Sequence, residues 1–470
     1  MSLQLLHEEP QVLNVGLAAF AESIARAGGK VTQIEWAPPA GGDRAVGLAL
    51  ARLVNHPVVE AANRKAFAAY LAAQPMLQGV GIAREVIPSL RQRLILHAGP
   101  PIGWGRMCAP VRAAIIGAVM FEGWADDLEG AEKLVERGDV MLAPCHHHGA
   151  VGPMAGIISP SMPVWIVREA NSGRRTFSNL NEGIGKVLRF GANSPEVLER
   201  LRWMATTLYR ALEATFVEAG SIDLKPLVAQ ALHMGDECHN RNVAATALLS
   251  KRLLPSMLQS KASREDLAAA VTFIGATDHF CLNIAMAACK AMLDAARDVT
   301  GSSMVTAMAR NGVEFGIQVS GTGDRWFVAP APVIDGLYFP GYSPQDAARD
   351  LGDSAITETA GLGAFAMAAA PAIVNFVGGS AEDVIATTAA MGHITLGHNT
   401  AFTLPSMNFA GTPAGIDVRK VVDSGLQPII NTGIAHREPG IGQIGAGITR
   451  APLACFTQAV VALADMVTEQ

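Results

Sequence analysis

Charge, aromatic rings and cysteine are all scarce in this sequence. Only 17% of its 470 residues are charged and only 6% are Phe, Trp or Tyr. The formal net charge is −6, and no basic stripe is present, which argues against a nucleic-acid partner. The six cysteines show no CxxC spacing and no even framework, so reduced thiols are expected rather than a disulfide scaffold. No apolar run reaches the roughly 20 residues that span a bilayer. The most apolar stretch, GAFAMAAAPAIVNFVGG at 363–379, carries Pro371 and Asn375 and reads as buried core. GxGxxG is absent from the first strand–helix turn, and GxxxxGK[ST] and HExxH are absent altogether. Their absence weighs against a dinucleotide fold, a P-loop ligase and a zinc protease. The opening MSLQLLHEEP lacks a basic region followed by an apolar run, so no targeting segment, no membrane attachment and a cytoplasmic location are expected.

What is present is an alanine-rich, half-apolar, globular composition. A chain of this length exceeds one compact core, so several domains are expected. Residues 11–37 read as strand, helix closed by Gly28-Gly29, and strand, a β-α-β opening. Two helices follow at 44–74, and 94–125 reads as strand, Gly/Pro-rich loop and helix. Residues 136–193 alternate short strands with turns. Helical periodicity dominates 195–219, 225–255 and 264–298. Strands return at 313–321 and 325–332, and an apolar helix ends the chain. The fold class is therefore α+β (mixed α/β) and multi-domain. We divide it into an N-terminal α/β domain (1–125), a central α+β domain (126–193 with 303–470) and a mainly helical segment (194–302). Neither a repeat nor a low-complexity linker interrupts the chain.

Twelve histidines occur in all, and three of them are consecutive in APCHHHGAVGPMAGI, 143–157. In an extended segment His146 and His148 face one way and His147 the other, which suits one metal ion poorly. A metal-free role as donors to an oxygen gaining negative charge is the better reading. No cofactor is expected, with a bound metal ion left open. QALHMGDECHNRNVAATALL, 230–249, carries a dense polar patch between apolar flanks. As a helix it would place His233, Asp236, Glu237 and Asn240 on one face and His239 beside them. Burying such groups is unfavourable without partners, so function is preferred over packing for Asp236, Glu237 and His239. The apolar helix read at 268–293 adds His279 and Asn283. MGHITLGHN, 391–399, adds His393, His398 and Asn399. Asn181, Glu182, Lys186 and Arg189 surround glycines in NEGIGKVLRFGAN, 181–193, a candidate anion-binding turn. Arg106 and Arg112 flank the start of the helix after the Gly/Pro loop, where an anion could bind.

HAGPPIGWGRMCAPVRAAIIGA, APCHHHGAVGPMAGIISPSMPVW, NEGIGKVLRFGAN, MGDECHNRN and MGHITLGHN together resemble the AllG-type family, and within it the YahG-like branch. The resemblance covers nearly the whole chain. It implies a subunit of the oxamate carbamoyltransferase of anaerobic allantoin use, which converts oxalurate and phosphate to oxamate and carbamoyl phosphate. It also implies an FdrA-like partner related to acyl-CoA synthetases and a smaller AllH-like partner; separately, the high apolar content and long apolar helices suggest a homo-oligomer. It carries over no catalytic residues. On the residues themselves, Arg106 and Arg112 suit a phosphate or carboxylate, His146–His148 suit an oxyanion, and Asp236, Glu237 or His239 suit proton movement at the amide nitrogen. Two other readings stand beside this one. The first is a metal-dependent amidohydrolase of a ureide. The second is a non-catalytic subunit whose partner does the chemistry.

Overall fold

The computed structural model describes residues 11–34, 38–90 and 93–468. The opening stretch 1–10 and the end of the second expected strand, 35–37, lie outside the described residues. The architecture is mixed α+β and multi-domain, as the element pattern implied. No helix among the described residues is long and apolar enough to cross a membrane.

The β-α-β opening forms as read. Strands Gln11–Val15 and Lys30–Ile34 pair in parallel around the helix Ala18–Arg26. A second parallel pair, Leu94–His97 with Met141–Pro144, is joined through the helix Ala109–Phe121. Pro110 at the start of that helix fits because the first N–H groups of a helix have no intrahelical partner. Ligands of parallel sheets gather at strand C-terminal ends, and His97 and the histidine run both lie there.

A five-stranded mixed sheet, in the order 150–151, 175–179, 163–169, 75–82 and 222–223, forms the centre. The helix Leu282–Asp294 packs on it, and all thirteen of its residues are buried. A helix apolar around its whole circumference belongs in a core. Lys290 can lie there because its Nζ bonds Asp294 Oδ1 at 2.9 Å, one turn away. An antiparallel four-stranded sheet (327–330, 314–319, 305–311, 351–352) and a three-stranded one (335–338, 443–450, 429–435) complete the body. The first part of the apolar stretch, 363–370, is buried as its composition suggested, but 371–379 is largely at the surface, with Phe376 exposed.

Three local readings are corrected. The helix expected across 225–255 is two helices, Leu224–His233 and Val243–Gln259. Gly235, at φ +94°, ends the first, since a left-handed backbone stops a helix where only glycine is unstrained. His233, Asp236, Glu237 and Asn240 therefore share no helical face. The helix expected across 264–298 breaks at 276–281 into Arg264–Gly275 and Leu282–Asp294. The histidine run is not extended. Cys145–His148 make a single 3-10 turn closed by Gly149 at φ +67°.

Candidate functional site

The break between the two helices creates the site. Freed from helical geometry, the loop 234–242 turns its carboxylates onto backbone. Asp236 Oδ2 accepts the Ala245 N–H at 2.8 Å and so caps the following helix. Glu237 accepts the N–H of His239 at 2.9 Å and that of Arg241 at 2.5 Å. Burial pushes the Glu237 carboxyl up to about 7, against the pull of His239 and these N–H donors.

His239 Nδ1 lies 2.8 and 3.0 Å from the two carboxylate oxygens of Glu358. Both side chains are buried. Glu358 also accepts from Ala364 N at 3.0 Å, Thr357 Oγ1 at 3.0 Å and Asn431 N at 3.3 Å. A carboxylate so placed fixes the imidazole tautomer: Nδ1 carries the proton and Nε2 is left as the basic nitrogen. Among the described residues His239 Nε2 has no hydrogen-bond partner.

Directly after His239, residues 240–243 form one wall of a cleft of about 230 Å³. Thr277–His279, from the second broken helix, form another, and Gly183 and Ile184 of the NEGIG turn a third. Gln443 donates its N–H to the Ile184 carbonyl at 3.1 Å and seats that turn. His279 Nε2 lies 2.9 Å from the Asn240 carbonyl, so Nε2 is protonated and Nδ1 is an acceptor with no hydrogen bond among the described residues. Burial pushes the His279 imidazole down to about 4, and the Arg189 charge adds to the effect. Asn240 Nδ2 and Asn242 Oδ1 are buried with no partner among the described residues. Buried amide atoms of this kind ordinarily have partners, so unfilled ones on a cleft wall mark a place for a ligand or water.

Other sequence-singled residues take structural roles. Asn181 and Asn283 bond side chain to side chain at 2.8 Å, and Asn283 continues to Asn179 at 2.7 Å. Glu182 accepts the Leu188 N–H at 2.8 Å and closes the NEGIG turn. Asn399 Nδ2 donates to the Tyr70 hydroxyl at 2.9 Å. Arg106 is ion-paired to Glu314, and Arg112 to Glu132 at 2.8 Å. Lys186, His393 and His398 are exposed and do not line the cleft.

The histidine turn belongs to a second polar cluster. Asp353 is fully buried and ties two loops together. Its Oδ1 accepts the Gly99 N–H at 2.8 Å and its Oδ2 the Gly152 N–H at 3.1 Å. Burial pushes its carboxyl up to about 7 against the nearby positive charges of Arg310 and Lys290. His146 Nε2 lies 3.6 Å from Asp353 Oδ1, too long for a hydrogen bond, and both of its ring nitrogens are unpartnered among the described residues. Burial and the Lys290 charge keep that imidazole neutral. His147 Nε2 accepts from Trp326 Nε1 at 2.9 Å, and His148 Nδ1 meets Ser89 Oγ at 2.6 Å. Among the described residues no three His, Cys, Asp or Glu side chains are grouped to hold a metal ion.

Glu358, Asp353 and Arg241 were not singled out from the sequence. Asp353 and Glu358 are the two charged residues in the run 351–381, which was a usable signal. Arg241 sits inside MGDECHNRN and was passed over beside its acidic neighbours.

The family described as "Oxamate carbamoyltransferase subunit AllG" matches residues 140–354, which hold the histidine turn, the cleft loops and Asp353. The chain is 44% identical over 463 residues to "Uncharacterized protein YahG" of Escherichia coli (strain K12), covering 98% of each chain. It is 49% identical over 397 residues to "Oxamate carbamoyltransferase subunit AllG" of the same organism, covering 84% of this chain and 94% of that one. A crystal structure of a conserved protein of unknown function from Enterococcus faecalis V583 superposes with TM-score 0.86 at 47% identity, over 87% of this chain and 98% of that one. The chain belongs to the AllG family.

Proposed function

We propose that the chain is a carbamoyltransferase subunit acting on a ureido or amide carboxylate. The reaction is oxalurate with phosphate giving oxamate and carbamoyl phosphate, or the same exchange on a related ureide. A phosphate oxygen attacks the ureido carbonyl carbon, the carbon–nitrogen bond breaks, and the departing nitrogen takes up a proton. The observation that carries this reading is the buried His239–Glu358 pair, whose histidine directly precedes the cleft-lining Asn240, in a chain 49% identical to a protein of that name. His239 Nε2 is the group we assign to proton movement at the nitrogen, with Glu358 holding its tautomer. Arg106 and Arg112 are already paired to glutamates, so the reading places the phosphate cradle with partner subunits of FdrA-like and AllH-like type. A cytoplasmic location belongs to the same reading.

The test is phosphorolysis of oxalurate by the purified chain, alone and assembled with its partner subunits. Carbamoyl phosphate is read by coupling to ATP formation. Product from the assembly, lost by roughly 10²-fold or more in His239→Ala, supports the reading. No product from the full assembly overturns the substrate assignment.

A further inference from the structure

Arg241 is a cation on the cleft wall that makes no ion pair among the described residues. Its backbone N–H is held by Glu237 and its Nε donates to the Gly235 carbonyl at 3.1 Å. Its two terminal nitrogens have no hydrogen bond and no ion pair among the described residues, the residue lines the cleft, and its charge acts on the nearby Asp236 carboxyl. The guanidinium is thus aimed from both ends, by its own backbone and by Nε, and its forked edge is left open. Such an edge matches a carboxylate with two parallel N–H···O bonds.

Beside it the cleft offers amide-matching groups. Asn240 Nδ2 is an unfilled donor and Asn242 Oδ1 an unfilled acceptor, and Asn242 is wholly buried. His279 Nδ1 is a second acceptor, kept unprotonated by burial. A carbonyl with an adjacent NH₂ needs one donor and one or two acceptors, and these three atoms supply them. Asp278 also lines the cleft and makes no ion pair with Arg241 among the described residues. Its charge opposes every anion in the cleft, so one carboxylate matched to the Arg241 fork is favoured over a dianion. The cleft, at about 230 Å³, is smaller than the ~300–1,000 Å³ of drug-sized pockets.

Building on the proposed carbamoyl transfer, we infer that Arg241 is the carboxylate-binding residue of this cleft, with Asn240, Asn242 and His279 reading the amide or ureido end of a small monoanionic ligand. Arg106, Arg112 and Lys186, singled out from the sequence for an anion, do not have this position.

Titration calorimetry of the full chain, alone and in the assembled complex, with oxamate and with its neutral analogue oxamide tests the assignment. Wild type binds oxamate at least about tenfold more tightly than oxamide. Arg241→Gln loses roughly 10- to 100-fold in oxamate affinity and leaves oxamide unchanged. Arg241→Lys keeps the charge and retains part of the preference. Asn242→Asp places an unpaired charge at the amide end and weakens both ligands. Circular dichroism confirms that each variant is folded, and Arg241→Lys decides the matter should Arg241→Gln not fold. Equal binding of the two ligands by wild type, no binding of either, or wild-type oxamate affinity in Arg241→Gln overturns the inference. The readout is binding rather than turnover. The assignment therefore survives if no carbamoyl phosphate forms, and it falls separately if product forms with the KM for oxalurate unchanged in Arg241→Gln.

Discussion

His239 and Glu358 are 119 residues apart in sequence, and the fold sets Nδ1 of one 2.8 Å from Oε1 of the other. Four donors converge on that carboxylate, so it is an acceptor-only group in a fixed position. Glu358→Gln keeps the shape but turns an NH₂ toward one of those donors and releases the imidazole tautomer. We expect kcat for carbamoyl transfer to fall roughly 10²- to 10⁴-fold with KM little changed. Steady-state kinetics of the assembled complex check this, and an unchanged kcat would remove His239 from the chemistry.

Gly363 presses against the same carboxylate. A Cβ there would overlap Glu358 Oε1, and its φ of +55° is left-handed. Gly363→Ala is expected to destabilise the fold by about 1–3 kcal/mol and to displace Glu358. Urea denaturation measures the first effect and the kcat of the folded variant the second.

The buried Glu237 makes stability depend on pH with a definite sign. Its carboxyl titrates near 7 when folded against an ordinary 4.5. Between those values the folded chain keeps a proton that the unfolded chain has lost, so this group's contribution falls as pH rises through the window. Asp353, also raised to about 7, acts in the same direction. His97 and His279, each lowered to about 4, act oppositely between there and 6.5. Glu237→Gln removes one contribution only. The stability of wild type relative to Glu237→Gln is expected to drop as pH goes from about 5 to about 7.5. Denaturation curves of both proteins at the two pH values check it, and a pH-independent difference would refute it.

Asp353 ties the Gly99 and Gly152 loops, and its loss leaves two buried N–H groups without acceptors. Asp353→Ala is expected to destabilise by about 2–5 kcal/mol, with faster hydrogen exchange at Gly99 and Gly152. Slow exchange at both positions in the variant would show that another acceptor takes over.

Much of the element pattern was legible along the chain, because apolar spacing and glycine punctuation act locally. The β-α-β opening, the helix pair at 44–72 and the terminal helix at 453–468 follow from such signals. The polar patch at 236–240 was legible as a site but misread as a helix. Periodicity on both sides concealed the left-handed Gly235 that ends the first helix. Arg106 and Arg112 were read as free cations, since nothing along the chain brings Glu314 and Glu132 to them.

The sequence by itself determined the family, the mixed α+β class and several of the polar stretches that now form loops, for these depend on residue identity and short-range spacing. Only the tertiary structure decided which of those loops meet. The partners of His239, of Asp353 and of the Arg241 cleft come from segments about 40 to 250 residues away. Burial shared among distant elements fixes such pairings, and it also shifts the protonation of Glu237 and His279. Neither effect is written into any one stretch of the chain.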